Sequence, residues 1–217
     1  MKYNKKAIIF DLDGVICFTD KFHYQAWKAL ADRLGIYFDE KINDRLRGVS
    51  RMASLEIILE KSSKQYSDEE KAAFAEEKNN AYRELLKKMT RADLPQEVWA
   101  TLLELRSRGY KLAIGSSSKN TKFILERIGL GDFFNAIADG TDITRSKPDP
   151  EVFLCAAKKL GIDPADCVVV EDAKAGIEAA KAGNMTAFAL FGDAKGCGAE
   201  DYDLSSFENL LDILGAM

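Results

Sequence analysis

Four short segments carry side chains able to do chemistry if folding gathers them: Asp11 and Asp13 around Leu12 with Gly14 behind, Ser116, Lys147 in Ser146-Lys147-Pro148, and the adjacent Glu171 and Asp172. An aspartate is ionised at neutral pH, with an ordinary pKa of ~3.9, so it can attack phosphorus without a base to activate it. Asp11 is the candidate nucleophile. Lys147 and Ser116 suit the charge that spreads over the equatorial oxygens of a transferring phosphoryl group. Asp13, two residues on, becomes an acid and base for the leaving and incoming oxygens if its neighbours lift its pKa. Four carboxylates at close range repel, so Asp11, Asp13, Glu171 and Asp172 call for a divalent cation, and oxygen-only ligands favour Mg²⁺ over zinc. Singly, each segment has a plainer use as a turn, a helix cap or a surface lysine. Their order along the chain points to phosphoryl transfer.

The elements around these residues would set them on one rim. Apolar runs at 7–10, 111–115, 136–138, 168–170 and 186–190 read as buried strands, and helical patterns lie between them, which predicts a parallel α/β sheet. Asp149 as N-cap, Pro150 at the first helical position and Gly161 as stop delimit one helix, and Ser205 with Glu208 caps the last. Residues 17–90 differ: they hold no proline and two of the fifteen glycines. Phe22, Ala26, Ala29, Leu30 and Leu34 follow helical spacing, and Ser67 with Glu70 forms a capping box for a helix running towards Met89. The expected architecture is an α/β, Rossmann-like parallel core (1–16 and 91–217) with a helical domain (17–90) inserted after the first strand. Such sheets bind ligands at the carboxyl ends of their strands, where the polar residues fall.

Composition narrows the partners. The chain has 31 Lys and Arg against 35 Asp and Glu, a net charge of -4, without the basic excess that nucleic-acid backbones demand. Its 47% hydrophobic and 30% charged residues suit a globular domain with a substantial core. Cys17, Cys155, Cys167 and Cys197 are scattered and only one histidine accompanies them, so they read as reduced thiols of a cytoplasmic protein. Few apolar residues precede Asp11, too few for an export signal or a membrane span. Nothing in the sequence demands an oligomer, so a monomer is expected.

In order, Asp11-Leu12-Asp13-Gly14-Val15, Ser116, Lys147 and Glu171-Asp172 resemble the four motifs of the haloacid dehalogenase superfamily of phosphotransferases. The resemblance covers the whole chain and implies that 17–90 is a cap domain. It also implies Mg²⁺ held by Asp11, the Asp13 backbone carbonyl and Asp172, with Glu171 in or near the shell. A narrower resemblance is to the β-phosphoglucomutase family, carried by His23-Tyr24-x-Ala26-Trp27-Lys28-Ala29-Leu30, Gly48-Val49-Ser50-Arg51, Lys78-Asn79 and Ser116-Ser117-Ser118-Lys119-Asn120. It implies interconversion of β-glucose 1-phosphate and glucose 6-phosphate through an aspartyl phosphate and a bound glucose 1,6-bisphosphate. The substrate contacts it implies are Trp27, Arg47, Gly48, Val49, Ser50, Arg51, Ser54, Lys78, Ser118, Lys119 and Asn120.

A bisphosphate needs a second anion site. Ser118, Lys119 and Asn120 open a helix whose apolar face includes Phe123, Ile124 and Ile128, so backbone N-H groups, the helix dipole and a lysine would converge there, with Arg51 closing over them. The plainer reading is a capped helix with exposed cations. His23 resembles the family's cap histidine, thought to relay a sugar-hydroxyl proton near Asp13. Trp27 lies four residues on, and Thr19, near the cap hinge, would steer Asp13. Arg47 departs from the lysine expected there and offers a wider fork to a sugar, or simply pairs with Asp44. Two other readings stand beside the mutase. A sugar-phosphate phosphatase would share the first half-reaction, whereas a receiver domain would lack so long a helical insert.

Overall fold

The computed structural model describes residues 5–46 and 49–216, and the chain divides into two compact units, Met1–Phe18 with Thr90–Met217, and Thr19–Met89. In the first unit, β1 (Ala7–Phe10), β2 (Lys111–Gly115), β3 (Ala136–Ala138), β4 (Cys167–Glu171), β5 (Thr186–Ala189) and β6 (Tyr202–Asp203) form one sheet in the order β3-β2-β1-β4-β5-β6. Every pairing is parallel. β1 and β4 are buried along their whole length, which explains why they read as unbroken apolar runs rather than alternating ones. The fold is the expected α/β parallel sheet.

In that unit, α5 (Gln96–Ser107), α6 (Thr121–Arg127), α7 (Glu151–Leu160), α8 (Lys174–Ala182) and α9 (Asn209–Ala216) connect and cover the strands. Val152, Phe153 and Ala156 of α7 and Ile177, Ala179 and Ala180 of α8 share a core with Ile9, Ala113, Val169 and Ala187 of the sheet. The register pairs Phe10 with Ile114 on one side and with Val170 on the other, so the residues just beyond these three strand ends stand level on one rim.

The second unit is helical, with α1 (Asp20–Leu34), α2 (Glu40–Asp44), α3 (Arg51–Leu59) and α4 (Asp68–Leu86) around a core of Trp27, Leu30, Phe38, Leu55, Ile58 and Ala75. Its buried stripe on α1 takes in Trp27 and Ala31, while Ala29 is exposed. The expected capping box opens α4: Ser67 Oγ accepts from Glu70 N at 3.3 Å and Glu70 Oε2 accepts from Ser67 N at 2.8 Å, a device worth ~1 kcal/mol.

Three local expectations shift. Pro150 itself takes the cap position of α7, and Asp149 Oδ1 reaches past it to accept from Glu151 N at 3.0 Å. The last helix is capped by Ser206, whose Oγ accepts from Asn209 N at 3.3 Å, while Ser205 N donates to Asn209 Oδ1 at 3.2 Å, because the helix starts only after Glu208. β6, only two residues long and exposed, has no apolar run to announce it. Among the described residues no helix is long and apolar enough to cross a membrane.

Candidate active site

Asp11 is the first residue past β1, a buried residue with 7% exposure whose N-H is bound to the Val170 carbonyl at 3.0 Å. The chain then turns sharply. Asp13 N donates to Asp11 Oδ2 at 2.8 Å, Gly14 N donates to the Cys17 carbonyl at 2.8 Å, and Gly14 adopts the left-handed region at φ 90°. Glycine is needed here twice over, because a Cβ on Gly14 would also stand 2.1 Å from Asp172 Oδ2.

Lys147 Nζ donates to Asp11 Oδ1 at 2.5 Å and to Glu171 Oε1, and it lies 4.6 Å from the centre of the Phe153 ring. Burial works against this ammonium, but Asp11 and Glu171 together outweigh it and hold its pKa above the usual lysine value. Two glycines make the packing possible. A Cβ on Gly115 would meet Phe153 at 2.6 Å, and one on Gly176 would meet Glu171 Oε1 at 1.9 Å. Ser116, level with this group on the neighbouring strand, accepts Ser118 N on its Oγ at 3.2 Å, which leaves its own O-H to donate.

Glu171 is where the expected cation shell changes. Its Oε1 meets Lys147, and its Oε2 accepts from Asp172 N and Ala173 N, both at 2.9 Å, so the side chain is committed to holding the lysine and its own turn. Among the described residues no three His, Cys, Asp or Glu side chains converge as metal ligands. Of the other carboxylates expected around a cation, Asp13 is half-buried, and Asp11 and Asp172 are both perturbed. Burial pushes the Asp11 carboxyl up to about 7, with Lys147 opposing and Glu171 adding to the rise. Burial, then Glu171 and Asp11, push Asp172 up to about 8. Oxygen donors crowded with excess negative charge fit a hard divalent ion such as Mg²⁺.

The sign of the pH dependence follows. The folded protein keeps protons on Asp11 and Asp172 that the unfolded chain releases near pH ~4, so this contribution is greatest in acid and is lost as pH rises through about 7 to 8. A cation that binds the ionised pair reverses the loss. Mg²⁺ at ~100 times its Kd should add about 2.7 kcal/mol of unfolding free energy at pH ~8, and markedly less at pH ~5. The check is thermal unfolding with EDTA and with Mg²⁺ at both pH values, and an increment independent of pH would contradict the assignment.

The segment expected to form a second anion site is only partly open in the way its residues suggest. Ser118 N and Asn120 N are already bound to the hydroxyls of Ser116 and Ser118, each at 3.2 Å, so serine turns engage two of the N-H groups expected to be open. Asn120 is buried, Lys119 is exposed, and a Cβ on Gly140 would stand 2.3 Å from the Ser117 carbonyl. The helix behind them spans seven residues.

In the helical unit, Lys78 Nζ lies 2.8 Å from His23 Nδ1 and 4.6 Å from the ring centres of both Trp27 and Tyr82. An ammonium only donates, so Nδ1 accepts and the ring proton belongs on Nε2. Thr19 Oγ1 is 2.9 Å from Tyr82 Oη, whose ring packs against His23 at 4.1 Å between centres. Sequence reasoning does not single out Tyr82, yet its place four residues beyond Lys78 puts it on the same helix face. Gly176 and Phe153 carry no such signal. Arg51 donates to Asn79 Oδ1 at 2.8 Å within this unit. Ser50 caps α3 by accepting from Ala53 N at 3.2 Å, Ser54 is buried and Val49 is exposed. Arg47 and Gly48 lie outside the described residues, and with them the pairing to Asp44.

Residues 5–184 match the family model described as haloacid dehalogenase-like hydrolase. The chain is 44% identical over 184 residues to β-phosphoglucomutase of Bacillus subtilis, covering 84% of this chain and 81% of that protein. It is 32% identical over 183 residues to a phosphorylated carbohydrates phosphatase of Thermotoga maritima, covering 83% and 82% of the two chains. Among solved structures, β-phosphoglucomutase from Clostridium difficile superposes with a TM-score of 0.90 at 39% identity, over 98% of this chain and 96% of the other.

Proposed function

Because the chain belongs to the haloacid dehalogenase-like hydrolase family, we propose that it is a β-phosphoglucomutase, converting β-glucose 1-phosphate to glucose 6-phosphate through an aspartyl phosphate on Asp11 and a glucose 1,6-bisphosphate. The observation that carries the chemistry is a buried aspartate gripped by a lysine at 2.5 Å on the carboxyl rim of a parallel sheet. The similarity at 44% identity to a mutase supports the substrate.

In this reading Asp11 Oδ attacks phosphorus while Lys147 and Ser116 bind the equatorial oxygens, and Asp13 gives a proton to the leaving oxygen and takes one from the incoming hydroxyl. Mg²⁺, held by Asp11, the Asp13 carbonyl and Asp172, would neutralise charge between the nucleophile and the phosphoryl group. It would also favour the ionised state of Asp11, which burial otherwise holds near 7. Glu171 keeps Lys147 aimed. The helical unit serves as a cap that shuts out water, with His23 offering its Nε2 proton to a sugar hydroxyl, Lys78 fixing that tautomer and Thr19 steering Asp13 through the hinge. Trp27, Arg47, Gly48, Val49, Ser50, Arg51 and Ser54 line the sugar, and Ser118, Lys119 and Asn120 hold the distal phosphate. The enzyme acts as a cytoplasmic monomer on a small sugar phosphate, without nucleic acid or membrane.

A sugar-phosphate phosphatase is the second reading, favoured by the T. maritima phosphatase at 32% identity. The two differ in what receives the phosphoryl group from Asp11, a sugar hydroxyl or water. Incubation with β-glucose 1-phosphate, Mg²⁺ and a trace of β-glucose 1,6-bisphosphate decides between them. Glucose 6-phosphate should form in large excess over free phosphate, and predominant phosphate release would assign the phosphatase.

A further inference from the structure

Lys147 reaches Asp11 from a turn, and the first residue of the helix that follows ties that turn down. Thr144 and Arg145 are exposed, yet both send backbone N-H groups to one oxygen: Glu151 Oε2 accepts from Arg145 N at 2.7 Å and from Thr144 N at 3.1 Å. The Thr144 hydroxyl donates to the same carboxylate, 3.1 Å from Oε2 and 3.3 Å from Oε1. The Arg145 N-H, against the effect of burial and with help from Thr144, holds the Glu151 carboxyl below the usual range. On the far side of Lys147, Asp149 N donates to the Ser146 carbonyl at 3.1 Å, and Asp149 Oδ1 accepts from Glu151 N at 3.0 Å. Both flanks of the lysine therefore close on Glu151, one through its carboxylate and the other through its N-H. The Arg145 guanidinium stands outside this ring, 68% exposed, 3.2 Å from Asp149 Oδ2 and 3.5 Å from Glu151 Oε2.

What Glu151 is attached to gives the clasp its consequence. It opens α7, and the next two residues, Val152 and Phe153, are fully buried in the core beneath the sheet. The Phe153 ring lies under Lys147 Nζ at 4.6 Å between nitrogen and ring centre, wedged where a Cβ on Gly115 would stand 2.6 Å away. One anchored helical turn thus carries both the ring on which the ammonium rests and the carboxylate that holds its backbone. A lysine stem is flexible, so its charge is only as well placed as the backbone it hangs from. Surface connections without such ties open at little cost, and a misplacement of ~1 Å in a group that serves a transition state can lower a rate ~10²-fold.

We propose that Glu151 is a positioning residue for phosphoryl transfer: it fastens the 144–147 backbone to α7 and so fixes where the Lys147 ammonium stands. This rests on the proposed role of Lys147 at the phosphoryl oxygens, and it holds whether a sugar or water receives the group. The plainer use of an acid at the start of a helix is to complement the helix dipole. The two roles need different things. The dipole needs a negative charge, whereas the clasp needs an acceptor oxygen at the end of a side chain of this length. Glutamine keeps the oxygen and the length but not the charge, and the Thr144 hydroxyl can turn to accept from its amide.

The test compares Glu151→Ala with Glu151→Gln in the full chain, counting glucose 6-phosphate and free phosphate together from β-glucose 1-phosphate, Mg²⁺ and a trace of β-glucose 1,6-bisphosphate. Glu151→Ala should lower kcat by about tenfold or more with KM within about twofold, and Glu151→Gln should restore kcat to within about threefold. On top of Lys147→Met, Glu151→Ala should take away no more than about a further twofold, because its effect passes through the ammonium. A second readout needs no turnover. In protein labelled with ¹³Cε lysine, the signal that Lys147→Met removes carries the ring-current displacement of Phe153. That signal should move towards the ordinary lysine position in Glu151→Ala and stay in place in Glu151→Gln. An unmoved signal in Glu151→Ala, equal losses for Ala and Gln, or a full additional loss on top of Lys147→Met would overturn the assignment. If Glu151→Ala does not fold, Glu151→Met carries the comparison, since it keeps the length and lacks the acceptor. An unaltered chain that releases neither product would count against the proposed function, and the lysine signal would still decide whether Glu151 places Lys147.

Discussion

Asp11→Asn should lower turnover by about 10⁴-fold or more while leaving the fold intact, because an amide cannot attack phosphorus but occupies the same space. No phosphoryl group should remain on the protein after incubation with β-glucose 1,6-bisphosphate, whereas the unaltered chain should show the added mass at Asp11 by intact and peptide mass spectrometry. Stability should move the opposite way. The Asp11 carboxyl is pushed up to about 7 by burial, so above that pH the fold carries the cost of an ionised group it would rather keep neutral. The amide removes this cost along with some repulsion from Glu171 and Asp172. In EDTA at pH ~8 the variant should therefore unfold at a higher temperature than the unaltered protein, with a gain on the order of 1 kcal/mol after the weakened bond to Lys147 is set against it. Mg²⁺ should stabilise the variant less. An Asn variant that still accepts phosphate would remove Asp11 from the chemistry altogether.

An element is legible in the amino-acid sequence to the extent that the interaction governing it is local. β1, β2 and β3 span the same residues as their runs, β1 buried throughout and the other two buried except for Lys111, exposed at the start of β2, and Ile137, half-buried in β3. β4 goes one residue further than 168–170 at each end: Glu171 is a strand residue whose charge is tolerated only because Lys147, 24 positions away, lies against it. Nothing in the neighbouring residues shows that. The caps of α7 and α9 differ from expectation by a residue for a similar reason, since several nearby oxygens can satisfy the same N-H groups and the tertiary path selects among them. The capping box at Ser67 and Glu70 faces no such competition.

The site divides along the same line. Asp11, Lys147 and Glu171 stand out by residue type and strand-end position, and the fold brings all three into contact. Their states do not. An isolated aspartate is ionised at neutral pH, but low dielectric and a neighbouring glutamate hold Asp11 near 7, so a cation bound beside it would favour its ionised form. Gly176 shows the limit most plainly. A small residue inside a helix reads as a weak spot, yet its missing Cβ is the space in which Glu171 lies.

That dependence makes Lys147→Met the most informative disruption. Methionine matches the length and fills the space over Phe153, so packing loss is small and the electrical consequence is isolated. Asp11 and Glu171 would face each other without the ammonium between them, and breaking a buried pair of this kind costs about 3 to 5 kcal/mol. Turnover should fall by about 10² to 10³-fold, because the charge spreading over the phosphoryl oxygens loses its preorganised partner. The pH profile gives the reading a structural defect would not. Lys147 pulls the Asp11 pKa down, so without it Asp11 should hold its proton to higher pH, and the acid limb of kcat/KM should move upward. Higher Mg²⁺ should move that limb part of the way back, since a cation can replace some of the missing field at Asp11 but cannot reach the oxygens the lysine served. An acid limb that stays in place would mean that Lys147 does not set the ionisation of Asp11, and that its contact with both carboxylates serves the fold alone.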